Sequence, residues 1–104
     1  MDRLTSMNVF VTVAESGSFA AAAGHLQISP QMVAKHIAML EKHLGTLLLH
    51  RTTRRLALTE EGQVFLEHAR QILASVEQAE EQIALRREMP SRRLRVTADT
   101  PVML

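Results

Sequence analysis

The run from Ser29 to Leu44, SPQMVAKHIAMLEKHL, leaves the chain little conformational choice. Ser29 suits a helix N-cap, because its hydroxyl can accept a hydrogen bond from an N–H group that the first turn leaves unpaired. Pro30 then falls at the first helical position, where a missing N–H costs nothing. Gly45 supplies the stop, since glycine enters the left-handed conformation without a Cβ clash. Between these signals Val33, Ile37, Leu40 and Leu44 recur at steps of four, three and four, and this spacing predicts one buried stripe. At about 100° per residue, Gln31, Lys35, Ala38 and Lys42 point the opposite way. Near the start, an amide and an ammonium on a slim outer face suit entry into a DNA groove. They also suit an ordinary solvated face, and the flanks must decide.

Upstream, Leu4, Met7, Val11 and Ala14, widened by Phe10, predict a helix over Leu4 to Glu15 that ends at Gly17. Ser18 caps the next helix, whose buried face is Phe19, Ala22, Ala23 and Leu26. The small alanines let two helices approach closely. Gln27 and Ile28 make the turn into Ser29, with Ile28 plugging the corner, so the order is that of a helix-turn-helix. Such trihelical units also occur in proteins that never touch DNA.

Downstream, Leu47, Leu48 and Leu49 form an apolar run expected to dock on the core. In HRTTRRLALT, Leu56 and Leu58 alternate with Ala57 and Thr59, which predicts a short strand, and Thr52, Thr53 and Arg54 fit a hairpin tip. This is a candidate wing. Arg51, Arg54 and Arg55 have no acid among them and repel one another unless a polyanion is near. Arginine is also favoured at phosphates and in narrow minor grooves. The alternative is a solvated charged turn.

Thr59 caps a last helix with Glu60 and Glu61 in its first turn, running to Glu88 before Pro90, about 43 Å at 1.5 Å per residue. Phe65, Ala69, Ile72, Val76, Ala79 and Ile83, broadened by Leu66 and Leu73, form a coiled-coil seam. The seam calls for a second copy or for the remainder of a longer protein. Beyond Pro90, Leu94, Val96 and Ala98 alternate with Arg95 and Thr97, as in the opening strand of a further domain. A net charge of +1 hides an asymmetry. Residues 29–58 set Lys35, Lys42, Arg51, Arg54 and Arg55 against Glu41, whereas residues 59–90 carry seven glutamates and three arginines, so the basic part alone is expected to meet a polyanion.

Other function classes find little support. There is no cysteine, hence no disulfide and no thiolate metal site. No apolar run approaches the ~18 residues of a membrane span, and Asp2 with no apolar core behind it gives no export signal, so the expected compartment is the cytoplasm. Of the five histidines, His36 and His43 lie seven apart, about 10 Å in helical rise, too far to share an ion. No Gly-rich phosphate loop or nucleophile motif appears. Neither catalytic nor metal-binding residues are expected.

These residues carry a resemblance. The order FVTVAESGSFAAAAGHLQISPQMVAKHIAMLEKHLGTLLLHRTTRRLALTEEG resembles the DNA-binding domain of LysR-type transcriptional regulators over about Leu4 to Gly62. The most specific pieces are Ala14 to Phe19, Leu40-Glu41 with Leu44-Gly45, and Arg51 to Leu58 leading into Thr59-Glu60-Glu61-Gly62. The resemblance implies a mainly α fold, with a winged helix-turn-helix over residues 1–59 (the helix-turn-helix itself about 19–38). A linker helix over 60–89 would dimerise. Residues 90–104 would be a hinge and the first strand of an effector-binding domain of periplasmic-binding-protein type.

The implied partners are a double-stranded DNA operator and a second copy through the linker helix, with a tetramer open to the full-length protein. No membrane is involved, and the setting is the cytoplasmic nucleoid. No cofactor is implied within these residues, and a small-molecule effector is expected in the further domain. Ser18, Lys42, Arg51 and Arg55 would grip phosphates. Ser29 would also lie at the DNA, and Pro30, Gln31, Met32, Lys35 and His36 would face base edges. Arg54 would reach a minor groove, and Phe65, Ala69, Ile72, Val76, Ala79 and Ile83 would dimerise. Ala34 stands where serine is usual in the family, Lys35 where arginine is common, and Leu49 where phenylalanine is common. Met32 replaces a smaller residue and could touch a thymine methyl. The alternatives are the similar head of a molybdate-responsive regulator, or a protein-interaction module that reads no DNA sequence.

Overall fold

The computed structural model describes residues 2–51 and 56–88. Its elements are α1 (Arg3–Ser16), α2 (Phe19–Leu26), α3 (Pro30–Leu44), β1 (Leu49–Arg51), β2 (Leu56–Leu58) and α4 (Glu60–Arg87). Helix boundaries have local chemical causes. Asp2 accepts hydrogen bonds from the Thr5 hydroxyl at 2.7 Å and the Thr5 N–H at 3.1 Å. Together, the hydroxyl first, they hold its carboxyl below the ordinary value. Ser18 accepts from Ala21 N–H at 3.0 Å and Ser29 from Met32 N–H at 3.1 Å, as expected for N-caps. Gly17 and Gly45 end α1 and α3 with φ of 85° and 73°. The turn between α2 and α3 instead places Gln27 at φ 58°, where a side chain is strained and a glycine would not be.

The core is drawn from every helix. Val9, Phe10 and Val13 of α1, Ala22 of α2, Val33 and Ile37 of α3, Leu48, and Ala69 of α4 are all buried. Phe65 lies against Phe10 with ring centroids 5.7 Å apart and planes tilted by 49°. The apolar run after Gly45 divides: Leu48 and Leu49 dock on the core, while Leu47 is 60% exposed. Leu44, expected at the end of the buried stripe, is 41% exposed. It is the last residue of α3 and borders an open groove of about 660 Å³ shared with Val64, Phe65 and Ile72, so no core atoms lie beyond it.

β1 and β2 pair antiparallel, with Leu49 opposite Leu58, His50 opposite Ala57 and Arg51 opposite Leu56. This is the expected wing. Its tip at Thr52, Thr53 and Arg54, the Arg55 position and the Arg51 side chain lie outside the described residues, as do the stop at Pro90 and the strand at Leu94 to Ala98. The sheet is tied to α4 through Thr59. Its N–H donates to the Leu48 carbonyl at 3.0 Å, and its hydroxyl donates to the Leu47 carbonyl at 2.7 Å while accepting from Gly62 N–H at 2.9 Å. A Cβ at Gly62 would overlap the Leu48 carbonyl, so this glycine permits the close approach of helix and chain.

The described residues fall into two compact units divided after Leu73, and α4 contributes to both. In the first, Leu66 and Ala69 are buried, and Phe65 and Leu73 pack on the core. This corrects the predicted seam. Ala69 is fully buried inside its own unit, and Phe65, half-buried, packs on Phe10 of α1. Ile72 remains 39% exposed. In the second unit Val76 is half-buried, Ala79 is exposed and Ile83 is 58% exposed.

Candidate nucleic-acid interface

α3 has two chemically distinct sides. Val33, Ile37 and Leu40 fasten it to α1 and α2, and Gln31, Lys35, Ala38 and Lys42 are exposed opposite them. Pro30 and Ser29 are exposed at its start, and Met32 is 38% exposed beside Gln31. The outer face carries no acid, because the only acidic residue of α3, Glu41, is turned inward. Lys35 and Lys42 stand two turns apart, about 10 Å along the axis. The result is a narrow basic ridge with an amide near its N-terminal end, where the helix dipole adds positive potential. The Ser18 and Ser29 hydroxyl oxygens accept from helix N–H groups, and each hydroxyl still has a proton to donate outward.

His36 does not share this ridge. It is 6% exposed, and its Nδ1 lies 2.8 Å from the Ser6 hydroxyl of α1. The expectation that it faces base edges is therefore corrected. At about 100° per residue, position 36 falls about 60° from Val33 and about 40° from Leu40, beside the stripe on the inner side. Its hydrogen bond ties α1 to α3 across the core.

Glu41 escaped the sequence reading as a functional position. It is 9% exposed, and its Oε2 accepts from Leu48 N–H at 2.9 Å and Leu49 N–H at 3.3 Å. The signal that could have found it is the same one: an acid one residue after Leu40, on the inner face of a helix, needs donors. At the wing, Arg51 closes β1 opposite Leu56, placing its backbone at the far end of the strand from Glu41's two amide partners. Among the described residues no helix is long and apolar enough to cross a membrane.

Known proteins resemble this chain in sequence and fold. Residues 4–63 match the family model described as bacterial regulatory helix-turn-helix protein, lysR family. The HTH-type transcriptional regulator DmlR of Escherichia coli (strain K12) is 44% identical over 93 residues, covering 89% of this chain and 30% of DmlR. The HTH-type transcriptional regulator CrgA of Neisseria meningitidis serogroup C (strain 8013) is 42% identical over 98 residues, covering 94% of this chain and 33% of CrgA. The chain thus spans about a third of the length of these relatives. Among solved structures, the DNA-binding domain of BenM in complex with catB site 1 DNA superposes with a TM-score of 0.78 at 34% identity, covering 83% of this chain and 94% of that one. The CbnR DNA-binding domain in complex with DNA gives 0.75 at 35%, covering 82% and 97%.

Proposed function

The chain belongs to the lysR family of bacterial regulatory helix-turn-helix proteins, and on that premise we propose that it reads the sequence of duplex DNA as the DNA-binding domain of a transcriptional regulator. One observation carries the reading: α3 is fastened along Val33, Ile37 and Leu40 while Gln31, Lys35 and Lys42 stand free of acids on its other side. Gln31 and Lys35 meet base edges in the major groove together with Pro30 and Met32. Ser18, Ser29 and Lys42 hold phosphates. Arg51 and Arg55 add phosphate contacts from the wing, and Arg54 enters a minor groove. Lys35, a point charge where arginine is common, favours a single contact over bidentate reading of guanine.

The functional segments are residues 1–59 for DNA, 60–89 for pairing and 90–104 as a hinge towards an effector-binding domain. The protein works in the cytoplasm, on the nucleoid, and is not an enzyme. Two copies pair through α4 along Ile72, Val76, Ala79 and Ile83. Antiparallel pairing brings Arg86 and Arg87 towards the partner's Glu60 and Glu61, whereas parallel pairing would set Glu77, Glu80 and Glu81 beside their own copies. Arg70 contributes less to this choice, since it lies 3.3 Å from Glu15 of its own chain.

Selection of binding sites from random duplexes, with a salt titration of the winner, tests the reading. Gln31→Ala should relax preference at one base position, a contact worth ~1–3 kcal/mol. Lys42→Ala should weaken all duplexes alike and flatten the salt slope by about one unit. Loss of only non-specific affinity in both variants would remove α3 as the reader. Family membership sets aside the molybdate-responsive head, and a pure protein-interaction module would give no salt-dependent shift on duplex DNA at all.

A further inference from the structure

We propose that Glu41 is a positioning residue that fixes the wing relative to α3, and thereby sets how much the wing contributes to sequence discrimination; this rests on the DNA-reading function above. Glu41 projects from the inner face of α3, and one of its oxygens receives both the Leu48 and the Leu49 N–H. Leu49 is the first residue of β1 and pairs with Leu58, so the carboxylate holds the wing at its point of entry. The other side of the Leu48 peptide is held too: its carbonyl accepts from Thr59 N–H at 3.0 Å, and Gly62 packs against it. One peptide is thus clamped between the reading helix and the start of α4.

A carboxylate is costly to bury, and an apolar side chain would fill the same volume. Two N–H groups converging on one charged oxygen give this contact a direction that an apolar side chain lacks. β1 then acts as a lever. At about 3.3 Å per residue its far end lies roughly 7–10 Å beyond the clamp, so a small rotation at Leu48 displaces that end of the strand by more. Glu41 touches no DNA in this scheme and acts through the wing.

The test uses the whole 104-residue chain with Glu41→Gln and Glu41→Ala. Duplexes sharing the selected core but differing in A/T content of the flanks report on the wing. Discrimination between them should fall about tenfold in Glu41→Ala and less in Glu41→Gln, while preference at the base set by Gln31 stays. Arg54→Ala should lower flank discrimination in the native background and have no further effect beside Glu41→Ala. Amide exchange at Leu48 and Leu49 should quicken in both Glu41 variants without DNA. Uniform loss across all duplexes, additivity with Arg54→Ala, or unchanged exchange at the two amides would each overturn the proposal. If Glu41→Ala melts below the assay temperature, Glu41→Gln carries the same comparisons. Absence of duplex binding by the native chain would instead defeat the DNA-reading function, leaving amide exchange to judge the clamp by itself.

Discussion

The two halves of α4 read alike in sequence and differ in fate. From Glu60 to Leu73 the helix buries Leu66 and Ala69 and packs Phe65 and Leu73 on the core of its own unit. From Ala74 to Arg87 no residue is buried, and Ile83 and Leu85 are 58% and 50% exposed. The same spacing of four and three runs through both. Helical periodicity therefore announces that a face will be covered, without saying whether the cover is the chain itself or another molecule. The first half answers to α1, through Phe10 and the Glu15–Arg70 pair. The second half offers apolar side chains with nothing described upon them, the condition for pairing.

The largest expected effect separates the halves directly. Leu66→Ala should cost ~2–5 kcal/mol of unfolding free energy in urea titrations of dilute protein, as for other buried leucines. Ile83→Ala under the same conditions should stay within ~0.5 kcal/mol. Equal losses would mean that both halves belong to one folding unit, and the contrast would fail. Next comes pairing: Ile83→Asp should weaken self-association by about 1.5–3 kcal/mol per protomer in sedimentation equilibrium, the value of burying such a side chain, with dilute stability unchanged. Gly62→Ala tests the close approach at the head of α4. The added methyl must displace the Leu48 carbonyl, and a loss of ~1–3 kcal/mol is expected by thermal melt. A neutral result would show that the first turn of α4 can yield. Smallest is Arg70→Ala. Its partner Glu15 is more than half exposed, so the pair should contribute only ~0.2–1 kcal/mol and fade in high salt. A larger loss that persists in salt would point to packing by the arginine stem.

A similar contrast explains what was legible on α3. Gln31, Lys35 and Lys42 are exposed as expected, because their exposure follows from the opposite stripe. His36 was misplaced by chemistry overruling geometry: a polar ring suggests an outer face, although its position is an inner one. Glu41 was read only as part of a motif, because its donors belong to a segment that no helical repeat describes.

The sequence by itself determined the helix ends and most buried positions. Ser18 and Ser29 cap because a side-chain oxygen meets an N–H three residues on, and Gly17 and Gly45 stop because only a residue without Cβ turns left-handed freely. These are contacts within one turn, so neighbouring letters suffice. Tertiary structure alone decided that Ala69 is core and Ile83 is not, that His36 meets Ser6 thirty positions away, and that Glu41 holds the wing. Such pairings depend on which surfaces other elements present, and a period of 3.6 residues carries no record of that.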